Sequence, residues 1–193
     1  MKDLSEPRPN TNRKPGDLVE VTVEKIVPRG LGLAFAEGLT IFVPLSAPGD
    51  RLTVRLEQIK GSTAFAEIET VVDPSPERGV PPCEYFGTCG GCDFQQLPYE
   101  RQLAEKIGIL RDALHRIGRI EHGEMAMVPS PRPRAYRTRA LWHADVASGK
   151  MGYYRRNSHD VVDIEHCPIL DPRLDATLQQ FRSELDPARF WEE

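Results

Sequence analysis

Apolar and polar residues alternate along the first third of the chain. The runs DLVEVTVEKIV (17–27), LGLAFAEG (31–38), LTIFVPL (39–45), DRLTVRLEQIK (50–60) and TAFAEIETVVD (63–73) alternate apolar with polar and are rich in Val, Ile, Thr and Phe. A period of two puts apolar side chains on one face of a strand and polar ones on the other. Gly30, Gly32, Gly38, Pro48-Gly49 and Gly61 punctuate the runs. Five short strands at this spacing predict a small closed barrel of the oligonucleotide-binding type over residues 15–73. The Pro-rich DPSPERGVPP (73–82) then reads as a stiff linker, with a domain boundary at 74–82.

The period changes beyond the linker. In PYERQLAEKIGILRDALHRIG (98–118), Leu103, Ile107, Leu110, Leu114 and Ile117 recur at spacings of four and three. That is one helical face, expected to pack in a core and to support the loop before it. Pro98 suits the first turn, Glu100 the positive helix start, and Gly118 the end. From Pro129 the pattern returns to strands: YRTRALWHADV (136–146), MGYYRR (151–156) and VVDIEH (161–166), with a second helix over 171–185. The expected organisation is a disordered leader (1–14), the barrel (15–73), the linker (74–82), a cysteine loop with its helix (83–128) and an α+β region (129–193). No Gly-rich strand–helix turn of the dinucleotide-binding kind occurs, so no Rossmann domain is expected within these residues.

Composition narrows the class. The chain has 193 residues, a net charge of −4 and 39% hydrophobic residues. No apolar run approaches the ~18 residues of a membrane span. The N-terminus, MKDLSEPRPNTNRKPGD, lacks the apolar centre of a secretory signal. A cytoplasmic protein, monomeric and without a membrane partner, is the expectation. In that compartment thiols stay reduced, and clustered cysteines bind metal more often than they pair.

Four cysteines are present. Cys83, Cys89 and Cys92 lie within CEYFGTCGGC, and Cys167 follows after 74 intervening residues, directly before Pro168. A cubane iron–sulfur core offers four iron corners, each taking one thiolate. One loop can wrap three corners and a distant cysteine can close the fourth. Gly90 and Gly91 would let backbone approach the inorganic sulfides and donate N–H groups to them. Zinc usually takes paired C-x2-C or Cys/His knuckles, and only one such pair exists here. Two disulfides would need an oxidising compartment. A [4Fe–4S] cluster ligated by Cys83, Cys89, Cys92 and Cys167 is the leading expectation. His166 is a further candidate ligand, read as hydrogen-bonded or solvated instead.

A local basic stretch runs against the acidic total. From Pro129 to Arg156 there are seven cations, Arg132, Arg134, Arg137, Arg139, Lys150, Arg155 and Arg156, against Asp145 alone. Tyr136, Trp142, Tyr153 and Tyr154 are interleaved. Arginine forks onto phosphate, and aromatics stack on unpaired bases. If 136–146 is a strand, Arg137 and Arg139 share one face. The competing reading is a solvated basic face over core aromatics, and Trp142 is assigned to the core. The barrel is less basic: residues 14–72 hold six Lys/Arg and eight Asp/Glu. Lys25 and Arg29, flanking the PRGLG turn, are its candidate contacts.

CEYFGTCGGCDFQQ, YRTRA and MGYYRRNSHDVVDIEHCPIL resemble the cluster-bearing RNA uridine-5 methyltransferases. VEVTVEKIVPRGLGLAF and LTIFVPLSAPGDRLTVRL resemble the TRAM domain of the ribosomal-RNA branch of that family. The resemblance covers residues 15–182 in the family's order. It implies an enzyme that methylates carbon 5 of a uridine with S-adenosylmethionine, through a cysteine that adds to carbon 6 of a base taken out of its stack. It implies RNA as the partner, ribosomal RNA first and transfer RNA second. It also places the nucleophile, the base and the S-adenosylmethionine site in a C-terminal methyltransferase domain. With all four cysteines claimed by the cluster, no catalytic or cofactor-binding residue is assigned here. The chain reads as the N-terminal, RNA-recognising portion of such an enzyme, expected to be inactive alone. A stand-alone RNA-binding iron–sulfur protein and a redox carrier are the alternatives.

Overall fold

The computed structural model describes residues 12–184; residues 1–11 of the expected leader and 185–193 of the expected C-terminal region lie outside them. The chain divides into two compact units, residues 1–80 with 96–127, and residues 81–95 with 128–193. This division cuts across the expected boundaries. The cysteine loop groups with the C-terminal region, and the helix that follows it groups with the barrel.

The first unit is built on five strands: β1 (Leu18–Val27), β2 (Leu31–Ala36), β3 (Leu39–Pro44), β4 (Arg51–Lys60) and β5 (Thr63–Asp73). They close into a barrel in the order β1-β2-β3-β5-β4. Neighbours are antiparallel except β3 and β5, which run parallel. In β1 the alternation read in the sequence is the alternation of burial: Val19, Val21 and Val23 point in while Glu20, Thr22 and Glu24 point out; in β2 and β5 it is inverted, with Gly32, Ala34, Ala64 and Ala66 buried and Phe35 and Phe65 exposed. Ile41, Val43, Leu52, Val54, Leu56 and Ala64 complete an interior from which water is excluded. Burying a Val, Leu or Ile side chain contributes roughly 1.5–3 kcal/mol each, so this core accounts for the unit's stability.

Two expectations are revised here. Part of the leader is pinned: Arg13 forks onto Glu37, with both N–O distances 2.6 Å, and just past the leader the Gly16 N–H donates to the Leu56 carbonyl at 2.7 Å. The linker is anchored rather than only stiff. Asp50, fully buried, accepts from the Ala47 N–H (2.6 Å), the Ser75 N–H (2.9 Å) and the Arg78 guanidinium (2.6 Å). Arg78 also donates to the Leu45 carbonyl at 3.0 Å, so one side chain staples the segment after β5 to the barrel.

Helix α1 (Tyr99–Asp112) continues into a π-helical turn, Ala113–Gly118. The helix exists where the spacing predicts it, but its apolar stripe is not buried. No residue of it is fully covered, and Leu110 and Ile117 are 49% and 80% exposed. The wider π turn shifts Leu114 and Ile117 off the register of the preceding face. A Lys25–Asp112 ion pair ties the helix to β1.

The second unit holds a three-stranded antiparallel sheet, β6 (His143–Asp145), β7 (Lys150–Tyr154) and β8 (Val161–Asp163), in that order. Helix α2 (Pro172–Glu184) buries Leu178 against Val162, Ile164 and Leu170. Gly152, in the middle strand, has no room for a side chain, because a Cβ there would collide with the Val162 carbonyl oxygen and with Ile164. The expected strand 136–146 shrinks to His143–Asp145, and Arg137 contributes only an isolated bridge to Leu170. Its backbone is claimed from outside a sheet: the Arg137 N–H donates to the Ile169 carbonyl at 2.9 Å, and its carbonyl accepts from the Asp171 N–H at 2.9 Å. The strand-face argument for Arg137 and Arg139 therefore does not hold.

Candidate cysteine centre and basic segment

Tight turns shape the loop that carries three of the four thiols. The Phe86 N–H donates to the Cys83 carbonyl at 3.1 Å, and the Cys89 N–H to the Tyr85 carbonyl at 2.8 Å. Gly87, at φ 92°, takes the left-handed backbone that the turn requires. The loop then lies along the end of β7. Cys89 bridges Arg155 in antiparallel fashion, the Gly90 N–H donates to the Tyr154 carbonyl at 3.0 Å, and the Arg156 N–H to the Thr88 carbonyl at 3.0 Å. A Cβ on Gly90 would sit 3.2 Å from that Tyr154 oxygen, so glycine permits the close approach.

Cys167 arrives from the other side, on the turn between β8 and α2. Asp175, in the first turn of α2, accepts the Cys167 N–H at 2.8 Å through Oδ1. Its Oδ2 stands 3.0 Å from His166 Nδ1, which Gln179 Nε2 also contacts at 2.8 Å. His166 is thus hydrogen-bonded, and it also lines the cysteine cavity. The Tyr85 hydroxyl accepts the Glu165 N–H at 3.2 Å, a further tie between the loop and the β8 end.

All four cysteines line one small cavity, together with Tyr85, Phe86, Gln95, Arg137, Tyr153 and Ile164. None is disulfide-bonded. Each pair of the four feels the other's charge. Burial first, and then the neighbouring sulfurs, push the Cys83, Cys89 and Cys167 thiols above their ordinary range. A group of buried, mutually repelling thiols holds thiolates only when a positive core sits among them. Among the described residues, no group of three or more His, Cys, Asp or Glu is arranged to hold a metal ion.

The surrounding polar atoms are informative. The Gly91 N–H approaches Cys89 Sγ at 3.4 Å, as a donor to sulfur should. The Gly90 N–H, expected to do the same, is spent on Tyr154 instead. Tyr153 Oη and Gln95 Oε1 line the cavity, buried and without a well-formed hydrogen bond. Burial above all, with the Cys167 charge adding to it and the nearby Trp142 indole opposing it in part, pushes the Tyr153 phenol up to about 12. A phenol held protonated at a thiol-lined cavity is a donor in search of an acceptor. The donor set and this spare O–H fit an anionic sulfur-rich group.

The basic residues do not share one fate. Arg132, Arg134, Arg137, Arg139, Lys150 and Arg155 are exposed. Among the described residues, Arg134, Arg139 and Arg155 form no salt bridge, while Arg137 lines the cysteine cavity. Arg156 is different: it pairs with Asp93 at 2.7 Å and is largely buried. Lys25 is engaged by Asp112, and Arg29 stands exposed in a strained turn at φ 70°. Of the interleaved aromatics, Trp142 and Tyr153 pack on the β8–α2 core, as expected for Trp142. Tyr154 stacks on His143 with centroids 3.7 Å apart, and Tyr136 is 53% exposed. Sequence reasoning passed over Asp93 and Asp175, and read Tyr153 only as an aromatic of the basic stretch. Asp175 carried the one legible signal, an acid in the first turn of a helix predicted directly after Cys167-Pro168.

Residues 12–68 match the TRAM domain family. Over 89% of its length the chain is 38% identical to the 23S rRNA (uracil(1939)-C(5))-methyltransferase RlmD of Pectobacterium atrosepticum, and covers 39% of that protein. It is 34% identical over 89% of its length to an uncharacterised RNA methyltransferase of Thermosynechococcus vestitus, again covering 39% of the relative. Among solved structures, the tRNA (uracil-54, C5)-methyltransferase of Pyrococcus abyssi, in complex with S-adenosyl-L-homocysteine, matches with a TM-score of 0.57 and 28% identity. That match covers 84% of this chain and 36% of the other. The chain thus spans about 39% of the length of the curated relatives it matches.

Proposed function

We propose that this chain is the RNA-recognition portion of an RNA uracil-C5 methyltransferase, acting on ribosomal RNA with S-adenosylmethionine as methyl donor. The observation that carries the reading is the 38% identity with a 23S rRNA uracil-C5 methyltransferase over 89% of the chain. S-adenosylmethionine enters through the relatives' names as methyltransferases and through the S-adenosyl-L-homocysteine bound to the Pyrococcus enzyme. In this reading the nucleophile and the cofactor site lie outside these residues, and the protein works in the cytoplasm as a monomer. No helix among the described residues is long and apolar enough to cross a membrane.

Cys83, Cys89, Cys92 and Cys167 would hold a [4Fe–4S] cluster, with the Gly91 N–H and the Tyr153 hydroxyl as donors to its sulfurs. Such a cluster, when bound, cross-links the 83–92 loop to the Cys167 turn and shapes the unit that carries the basic segment. Arg132, Arg134, Arg139, Lys150 and Arg155 would meet phosphate, with Tyr136 available to an unpaired base. Arg137, Arg29 and Lys25 are secondary contacts, Lys25 only after release from Asp112.

The test is fluorescence anisotropy with a single-stranded 23S rRNA segment, a duplex of the same sequence and a salt series. Preference for the single strand is expected, with log affinity falling by about 0.7 per phosphate contact per log unit of salt. Calorimetry should show no heat with S-adenosylmethionine. A salt-independent affinity, or methyl transfer by this chain alone, contradicts the reading.

A further inference from the structure

Arg156 belongs by sequence to the basic segment, but its contacts turn it towards the cysteine loop. Its side chain is only 18% exposed. Nη1 donates to Asp93 Oδ1 at 2.7 Å, and Nη2 to the Cys92 carbonyl at 2.7 Å. Its backbone N–H holds the Thr88 carbonyl at 3.0 Å. One residue therefore grips the loop on both sides of Cys89. A planar, permanently charged fork suits this task in a way that a lysine does not.

The third side-chain donor is unspent. Among the described residues, Arg156 Nε is buried and has no partner. The guanidinium is also close enough to Cys89 to favour that residue's thiolate. Arg155, one residue away and exposed, makes no salt bridge among the described residues.

We propose that Arg156 is a positioning residue of the cysteine centre: it fixes Cys92 and Cys89 through the loop, and its charge, held beside the loop, compensates the anionic iron–sulfur group. It is not an RNA contact. This rests on the cluster reading above. Net charge and hydrogen bonds to sulfur set the reduction potential of such a cluster. A fixed cation favours the more negative, reduced state, so its removal makes reduction harder.

The test loads the whole chain anaerobically with ferrous iron and sulfide, as wild type, Arg156→Gln, Arg156→Lys and Arg155→Gln. Iron and sulfide content, lifetime in air, midpoint potential by dithionite titration, and the salt slope of RNA binding are measured. Arg156→Gln should shift the potential negative and shorten the lifetime. Arg156→Lys should keep a potential near that of wild type and still lose the cluster faster, because charge survives and the fork does not. Both should keep the wild-type salt slope, which Arg155→Gln lowers. A wild-type potential and lifetime in Arg156→Gln overturns the proposal, as does a lowered salt slope in a fully loaded Arg156 variant. If Arg156→Gln does not load, the lifetime of Arg156→Lys decides, and a wild-type value contradicts the role. A wild-type chain that takes up no iron overturns the cluster reading itself, and this inference with it.

Discussion

Asp175 and Asp163 are both carboxylates of the second unit, and they do different work. Asp175 holds the Cys167 N–H at 2.8 Å, which fixes where the fourth thiol stands. Asp175→Ala should fold and yet lose a large part of its bound iron, whereas Asp175→Asn keeps an acceptor and most of the iron. Iron per chain after anaerobic loading checks this. Asp163 is bound by both ends of the Arg182 guanidinium, and the second contact is 2.9 Å. The Arg182 hydrogen bond holds the Asp163 carboxyl below its ordinary 3.8. Because the folded value is the lower one, the stabilisation is complete above the unfolded value and is lost as pH falls through the folded one. Urea midpoints measured from pH 7 to pH 3 should therefore fall for wild type. Asp163→Asn should be less stable at pH 7 and should show a shallower fall.

At the level of elements, the barrel and the first helix make opposite predictions. Leu52 and Ile41 are fully buried among the strands, so Leu52→Ala should cost about 2–5 kcal/mol. Ile117 is 80% exposed, and Ile117→Ala should stay within about 0.5 kcal/mol. Arg78→Ala strips the partner from the fully buried Asp50 and should cost about 3–5 kcal/mol. Denaturant melts of the three variants rank these effects. The contrast also explains what was readable in the chain. Strand runs 17–27, 50–60 and 63–73 fell within a residue or so of β1, β4 and β5, because burial on one face imposes a strict period of two. The α1 stripe had the right period, but period says nothing of what covers a face. YRTRA looked like a strand by composition; the Ile169 and Asp171 backbone groups claim Arg137 instead, and such long-range partners leave no local trace.

Taken as a whole molecule, the chain brings together four thiols that its sequence holds 84 positions apart at the extremes, Cys83 to Cys167. The four cysteines that line one cavity were legible as a set, because a loop with three cysteines and a distant Cys-Pro has few chemical uses. Their second layer was not legible. Arg156 read as a phosphate contact because adjacent arginines look alike in sequence, and only the fold separates the buried one from the exposed one. The most direct measurement is iron and acid-labile sulfide per chain after anaerobic purification, with metal analysis for zinc alongside. The account predicts about four irons and about four sulfides per chain, lost together when Cys167 is replaced by Ser. One zinc per chain without sulfide, or a full iron complement in the Cys167→Ser variant, would contradict it.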